Sequence, residues 1–294
     1  MTPAPLLLSV PNVSEGRDER TIQAIGAAFE PARLLDIHTD PDHGRSVFTL
    51  AARQGELAQA LLAGAREAVA RIDVSGHPGI HPHVGAIDVA PVVYLDDDAR
   101  GAAAAEALTA AALIGEELEL PVFLYGQLAT AEDRIERAAI RRGGPQALKE
   151  RIDRGELVPD YGPNHAHPSA GALLVTARPP LIAFNLDLAT DDLELAKRIA
   201  ARLRESNGGL HGVRAIGLYL PARGRAQVSF NVHDHRAVPL RQLAEEVARE
   251  APIAEAELVG LAPAAAFEDF PEEVPLRDFD PGRHLIENAL RSLH

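Results

Sequence analysis

The feature that most constrains the fold is the order of strand-like and helix-like stretches in the second half of the chain. Strand-like apolar runs cover residues 172–176, 181–187, 213–220, 225–232 and 256–261, and helical periodicity covers residues 191–204 and 240–250. The order strand, strand, helix, strand, strand, helix, strand resembles a ferredoxin-like arrangement. We therefore predict an α+β subdomain in this half.

The first half also alternates strands with helices. We predict strands at residues 6–10, 33–38, 45–52, 85–94 and 121–125, and helices at residues 19–29, 56–72, 100–118 and within 131–156. Because the last stretch is rich in Arg and Glu, we expect its helices to be solvated. The predicted class is α+β, an α/β sandwich of two subdomains, each a mixed sheet with helices on its outer face. We place their boundary near Arg178, at residues 1–178 and 179–294.

The composition of the chain excludes several classes of function. The chain has 294 residues, no cysteine and a formal net charge of −14. Without cysteine there is no disulfide scaffold, thiolate nucleophile or cysteine-ligated metal. The negative charge argues against a nucleic-acid partner, because phosphate neutralisation needs clustered Lys and Arg. No apolar run has the length of a membrane span, and the first residues lack the features of a signal peptide. We expect a cytoplasmic protein that acts on small molecules.

Residues 75–88 form the sharpest local motif, with His77, His81 and His83 among three glycines ahead of an apolar run. Histidine titrates near neutrality and can both accept and donate a proton, so one of these residues could serve as a general acid or base. The same side chains could instead only satisfy local hydrogen bonds. The pattern alone does not select one histidine.

Three His-x-His pairs raise a second hypothesis, a metal-dependent hydrolase. The pairs are His81 with His83, His165 with His167, and His233 with His235. Imidazole is a common ligand of zinc and manganese. However, Pro82 splits the first pair and the second lies in an irregular stretch, so neither is predicted on a regular strand. We expect no metal.

Two other segments carry candidate ligand-binding residues. The run from Asp36 to Arg45 ends in an arginine that could bind a substrate carboxylate through two hydrogen bonds, although such charged runs are more often solvated turns. Residues 159–171 are rich in Gly and Pro and too long for a minimal connector, which is typical of a functional loop. The sequence contains no P-loop, no dinucleotide-binding glycine motif and no nucleophile elbow.

At these residues the sequence closely resembles the formiminotransferase family, the glutamate formiminotransferases of histidine degradation. The matching segments run along nearly the whole chain. They are VPNVSEG at residues 10–16, LLD at 34–36, RSVFT at 45–49, His81-Pro82 with GAIDV at 85–89, PVFLYG at 121–126, DYGP at 160–163, LIAFN at 181–185, AQVS at 226–229 and ELVGLAP at 257–263.

The resemblance implies transfer of a formimino group from N-formimino-L-glutamate to N5 of the co-substrate tetrahydrofolate, by a homodimer whose two subdomains hold the folate between them. It places the catalytic histidine of the family's His-Pro-Arg-Met-Gly segment at His81. The implied folate-binding residues are Gly162, Pro163, Asn164, His165, Ala166, His167, Pro168, Ser169, Ala170 and Gly171. The candidate substrate-binding residues are Asn12, Arg45, His83 and Asp88.

Three departures from the family pattern surround His81. The Arg that follows His-Pro in the family is His83, the Glu before the motif is Ile80, and the Asn before Arg45 is Gly44. Because fold alone does not fix function, these changes leave a non-catalytic folate-binding relative as an alternative. The chain also ends without the cyclodeaminase domain of bifunctional relatives, so we expect a separate enzyme to process the product.

The expected mechanism is general acid/base catalysis without a covalent enzyme intermediate. His81 would remove the N5 proton of tetrahydrofolate as the tetrahedral adduct forms, and would return a proton to the departing glutamate nitrogen. Asp88 would either orient an imidazole or cap backbone groups.

Overall fold

The computed structural model describes residues 4–77 and 79–291. Contacts within the chain divide it into two compact units, Met1–Pro179 and Pro180–His294. Among the described residues, no helix combines the length and the apolar character that crossing a membrane requires.

The first unit contains seven strands and five α-helices among the residues described. In chain order they are β1 (Leu6–Ser9), β2 (Asn12–Val13), α1 (Glu19–Ala28), β3 (Arg33–Asp40), β4 (Arg45–Arg53), α2 (Leu57–Arg71), β5 (Ile87–Val93), α3 (Arg100–Glu117), β6 (Val122–Leu124), α4 (Arg137–Ile140), α5 (Gly144–Asp153) and β7 (Leu173–Arg178). The predicted strands and long helices are all present, with ends that differ by a few residues.

One mixed sheet joins these seven strands, as predicted. β1 and β2 lie in line between β4 and β5, and β3 pairs with the far side of β4, all antiparallel. On the other side, β5 pairs with β7 and β7 with β6, both parallel. The break between β1 and β2 coincides with Pro11, which has no N–H to donate to the ladder. The carbonyl of Pro11 still accepts the N–H of Phe48 at 3.0 Å, so the two short strands keep one direction.

Helices cover both faces of this sheet, which differs from the predicted single outer layer. Helices α1, α2 and α3 bury their apolar sides against one face. Ile140, Leu148 and Ile152 of the α4 and α5 region pack with Phe123 and Leu174 on the other face. The physical reason is that the parallel strands β5, β6 and β7 are apolar on both faces, and such strands need cover on both.

The second unit contains β8 (Ile182–Leu188), α6 (Leu193–Leu203), β9 (Val213–Leu220), β10 (Arg225–Val232), α7 (Leu240–Ala248), β11 (Ile253–Val259), α8 (Pro281–His284) and α9 (Ile286–Arg291). Its sheet order is β11-β8-β10-β9, which is the predicted ferredoxin-like arrangement. Every pairing in it is antiparallel, so the prediction of a mixed sheet was wrong here. Strands joined through a helix run parallel, but in this order another strand always separates them.

The first unit contains the same arrangement within its larger sheet. The path β1/β2, α1, β3, β4, α2, β5 gives the order β5-β1-β4-β3, which matches β11-β8-β10-β9 strand for strand. The first helix of each unit begins in the same way. Asp18 accepts the N–H of Arg20 at 3.1 Å, and Asp192 accepts the N–H of Leu195 at 2.9 Å. A side-chain acceptor at this position satisfies one of the free N–H groups of the first helical turn.

Candidate active site

A small polar pocket lies on the first unit where β2, β4 and β5 meet the histidine-rich loop. Its lining residues are Asn12, Val13, Ser14, His43, Gly44, Arg45, His77, His81, His83 and Asp88. The structure therefore brings together all five of the predicted residues that lie outside the 162–171 loop. They come from segments up to 76 residues apart, from Asn12 to Asp88, which the sheet places side by side.

Close backbone contacts hold the histidine loop against the turn between β3 and β4. The N–H of Ile80 donates to the carbonyl of Asp42 at 3.2 Å, and that of His81 donates to the carbonyl of His43 at 3.3 Å. A Cβ on Gly79 would lie 2.4 Å from the carbonyl oxygen of His43, so only glycine fits there. Gly44 has a φ of +64°, a conformation that Gly and Asn adopt most readily. A Cβ on Gly44 would also lie 2.6 Å from the Cα of Gly79, so the close approach of the histidine loop requires glycine here.

His81 is held in its neutral form by its surroundings. The terminal nitrogen Nη1 of Arg45 lies 2.7 Å from Nε2 of His81. Because a guanidinium can only donate, Nε2 must be the acceptor and the ring proton must sit on Nδ1. Burial lowers the pKa of His81 well below its ordinary value, and the charges of Arg45, Arg141, His43 and Arg137 lower it further. The neutral imidazole can take up a proton at Nε2 only after the Arg45 N–H has left that nitrogen, because its lone pair otherwise accepts from the guanidinium.

The other histidines surround His81 without forming a metal site. Nδ1 of His83 lies 3.1 Å from the carbonyl of His81, and the His77 ring meets the His83 ring edge-on at 4.3 Å between centroids. The His43 and His81 rings lie 6.0 Å apart. Within residues 4–77 and 79–291, no three His, Cys, Asp or Glu side chains converge as a metal site would require. The hydrolase hypothesis therefore gains no support from the His-x-His pairs.

Asp88 is occupied by two partners on different elements. One carboxylate oxygen accepts the N–H of Val84 at 2.8 Å, and the other pairs with the guanidinium of Arg141. Asp88 thus caps a backbone group at the end of the histidine loop, the second of its two expected roles. The nearby Ser14 hydroxyl donates to the carbonyl of Gly85 at 2.7 Å, and the Asn12 amide donates to the carbonyl of Val10 at 3.0 Å.

The loop with the predicted folate-binding residues is anchored at both ends. Gly162 has a φ of +79°, and a Cβ there would lie 2.4 Å from the carbonyl oxygen of Leu120. Gly171 has a φ of +68°, and its Cβ would lie 2.1 Å from the carbonyl oxygen of Val84. The carbonyl of Ala170 accepts the N–H of Ala86 at 2.9 Å. The end of this loop is therefore bonded to the segment that follows His81, although none of its residues lines the pocket.

Sequence reasoning missed the arginines on the α4 side of the pocket. The stretch from residue 131 to 156 was expected to be solvated, yet only 8% of the Arg141 side chain is exposed. That expectation was wrong for Arg141 because Asp88, 53 residues earlier, gives it a buried partner. Arg137 and Arg141 are four residues apart in the sequence. This spacing could have indicated that both side chains lie on the same face of a helix.

The chain matches two family descriptions along most of its length. Residues 6–178 match the family described as "Formiminotransferase domain, N-terminal subdomain", and residues 183–272 match that described as "Formiminotransferase domain".

Curated relatives agree with these matches. A glutamate formimidoyltransferase of Streptococcus pyogenes serotype M1 is 35% identical over 98% of this chain and 99% of that protein. One of Thermoplasma acidophilum is 37% identical over 95% of this chain and 96% of that protein. A mouse formimidoyltransferase-cyclodeaminase is 39% identical over 90% of this chain, and the alignment covers 51% of the mouse protein.

Proposed function

Because the chain belongs to the formiminotransferase family, we propose that it transfers the formimino group of N-formimino-L-glutamate to N5 of tetrahydrofolate. The products are glutamate and 5-formiminotetrahydrofolate, and tetrahydrofolate is a co-substrate. The structural observation that best supports this proposal is the contact of Arg45 with Nε2 of His81, which holds the histidine neutral and frees Nε2 for a proton when Arg45 turns to a substrate carboxylate. No cysteine is available for a thiolate route.

His81 acts as the proton-transfer residue in this proposal. N5 of tetrahydrofolate attacks the amidine carbon of the donor, and a new C–N bond forms in a tetrahedral adduct. His81 takes the proton that N5 loses and returns one to the glutamate nitrogen as its bond to the same carbon breaks. The histidine is neutral at both ends of the cycle. Burial and the charge of Arg45 lower the pKa of His81 and so keep the resting base neutral, and movement of Arg45 to a donor carboxylate would raise the pKa toward its ordinary value as the proton is taken up.

Arg45 has two tasks in the proposed reaction. Its charge keeps His81 neutral, and its planar fork has further N–H donors of the kind that bind a carboxylate. Asn12 and His83 line the same pocket and are proposed to contact the substrate. Holding two substrates in one orientation supplies a large part of the acceleration in such two-substrate reactions.

We propose that the loop from Gly162 to Gly171 contacts the folate. Two observations support this role: glycines in left-handed conformations fix both ends of the loop, and the Ala170 carbonyl is bonded to Ala86, five residues after His81. We also propose a cytoplasmic homodimer. Sedimentation of the purified protein would measure the oligomeric state, and a monomer would overturn that part of the proposal.

The test of the reaction is to incubate the protein with tetrahydrofolate and N-formimino-L-glutamate and to follow 5-formiminotetrahydrofolate by absorbance and mass. His81→Ala should lower turnover by about a hundredfold or more, the usual loss when a general acid/base is removed. His211→Ala is the matched control, because that histidine is 83% exposed and lies on the second unit. Near-normal turnover in His81→Ala would remove His81 from the role. Tight folate binding without transfer in the unmodified protein would instead indicate a non-catalytic relative.

A further inference from the structure

Arginines accumulate on one side of His81 with few carboxylates to balance them. Arg137 and Arg141 lie one helical turn apart at α4, and Arg178 ends β7. All three belong to the first unit. α4 packs against the face of the sheet that carries Tyr125, and the N–H of Gly126 donates to the carbonyl of Ile135 at 3.1 Å just ahead of α4. The arginines therefore share one region of the unit.

Only one of these three charges has a carboxylate partner among the residues described. Arg141 pairs with Asp88, and the second oxygen of Asp88 is taken by the N–H of Val84. The Nε of Arg141 is buried without an acceptor. Arg137 forms no ion pair within the described chain, and Arg178 donates only to the carbonyl of Pro179, at 2.9 Å.

The electrostatic consequences agree with this geometry. Burial lowers the pKa of Arg178 to about 10, with Tyr125 opposing the shift and the charge of Arg137 adding to it. Burial also lowers the pKa of Arg141, and Arg137 again contributes while Asp88 opposes. Arg137 and Arg178 are half-buried, and like charges held together in such a place cost free energy. A protein keeps such an arrangement when a ligand supplies the missing anion, so the region fits an anionic ligand.

We propose that Arg137 and Arg141 bind a carboxylate of the donor's glutamate part and make the site specific for a dicarboxylate donor. This rests on the proposed function and assigns new residues to it. Arg45 binds one donor carboxylate beside His81, and the Arg137 and Arg141 pair binds the other. Arg178 adds positive charge at the outer end of this region. Guanidinium groups suit the task because two parallel N–H groups match the two oxygens of a carboxylate.

The donor fits this region better than the glutamate part of the folate does. Arg141 contacts Asp88, which lines the same pocket as His81, and Arg137 lies one helical turn before Arg141, so both lie close to the reacting atoms. In the donor, the reacting nitrogen is bonded to the carbon that carries one carboxylate, and the second carboxylate is two methylene groups away. In tetrahydrofolate, an entire aminobenzoyl group separates N5 from the glutamate carboxylates. A carboxylate near His81 therefore comes from the donor.

The test compares Arg137→Gln with Arg142→Gln, which removes the same charge from an exposed neighbouring position. Each variant is assayed with N-formimino-L-glutamate and with N-formiminoglycine, which has one carboxylate. Arg137→Gln should raise KM for the glutamate donor by about tenfold or more, the scale of a lost charge-assisted contact, while kcat changes by less than about threefold. KM for N-formiminoglycine and for tetrahydrofolate should stay unchanged, and Arg142→Gln should resemble the unmodified protein.

A second pair of variants separates binding from folding. Arg141→Lys keeps the charge and the Asp88 partner but loses the planar fork, so it should raise KM for the glutamate donor while melting like the unmodified protein. An unchanged KM in both Arg137→Gln and Arg141→Lys would overturn the inference. A raised KM for tetrahydrofolate alone would assign the arginines to the folate carboxylates and overturn it equally.

Failure of the inference can be told apart from failure of the proposed function. If the unmodified protein transfers no formimino group, the proposed function fails, and calorimetry with glutamate still tests the site. Heat of binding that is lost in Arg137→Gln and kept in Arg142→Gln supports a dicarboxylate site. Equal binding by both variants contradicts it.

Discussion

In both units, the face of the βαββαβ sheet opposite its own two helices carries buried polar side chains, and in the first unit α4 and α5 cover part of the sheet on that side. On the second unit this polar face forms a closed network of opposite charges. Asp187 accepts the amide of Gln227 at 2.7 Å and a guanidinium N–H of Arg223 at 3.2 Å. Arg277 reaches across to Asp187 and also pairs with Glu257. Each carboxylate of this network has at least one cationic partner.

On the polar face of the first unit, positive charges outnumber the carboxylates that pair with them among the described residues, and we call this region the open site. There, Asp88 faces Arg141, while Arg137 and Arg178 have no carboxylate partner within the described residues. Buried polar groups that are mutually satisfied make a face rigid, whereas an excess of one charge remains available to a ligand. The comparison teaches that the same topology supports a structural network in one unit and a candidate binding site in the other.

The largest expected effect concerns the closed network. Arg277→Met would leave Asp187 and Glu257 with less compensation in a buried place, so we expect a loss of about 3–5 kcal/mol in the free energy of unfolding. Burial already raises the pKa of Asp187 in the folded protein. The loss should therefore shrink as the pH falls, because protonated carboxyl groups need no counter-charge. Urea unfolding at several pH values measures both effects.

Arg225→Met is the matched control for that experiment. Arg225 is 41% exposed and lies 3.7 Å from Glu255, so its ion pair should contribute less than about 1 kcal/mol. Equal losses in the two variants would mean that the second unit holds no special buried network.

A smaller effect is expected at Arg45 in the open site. Arg45→Gln removes the nearest positive charge from His81, so the pKa of His81 should rise toward its ordinary value, although burial still holds it down. The protonated histidine would then persist to higher pH, and the acid limb of the kcat/KM profile should move to higher pH. We also expect kcat/KM at its optimum to fall by about tenfold or more, because a carboxylate contact is lost. An unmoved acid limb would show that Arg45 does not control the titration of His81.

The smallest expected effect is an increase in the stability of the folded protein. Arg137→Gln removes a positive charge that repels Arg141, so we expect the free energy of unfolding to rise by no more than about 1 kcal/mol while donor binding weakens. Thermal unfolding of this variant beside Arg142→Gln measures the change. A clear loss of stability in Arg137→Gln alone would mean that the Arg137 charge stabilises the folded protein. The contrast between paired charges in the second unit and unpaired arginines in the first would then be wrong.

Much of the fold could be predicted because its signals are local. The alternation of apolar residues in β8 and β10 and the helical spacing of α6 and α7 fix which face of each element is buried, and their order gives the ferredoxin-like arrangement. Residues of the candidate pocket could be named in advance where a segment carries its own signal. His81 and His83 stand out in a glycine-rich loop, and Arg45 follows a charged turn. Asn12 and Asp88 were named through the family resemblance or their nearness to that loop, and they do line the same pocket.

What the sequence by itself determined was therefore the type and order of the elements, the histidine loop and the family resemblance. Only the tertiary structure decided which strands are neighbours, that the second sheet is antiparallel throughout, and that α4 and α5 cover the opposite face of the first sheet. It also decided that Arg141 meets Asp88, while Arg137 has no carboxylate partner among residues 4–77 and 79–291. The physical reason is that periodicity reports the environment of a residue along its own segment. The partner of a charge depends on which distant segment packs against it.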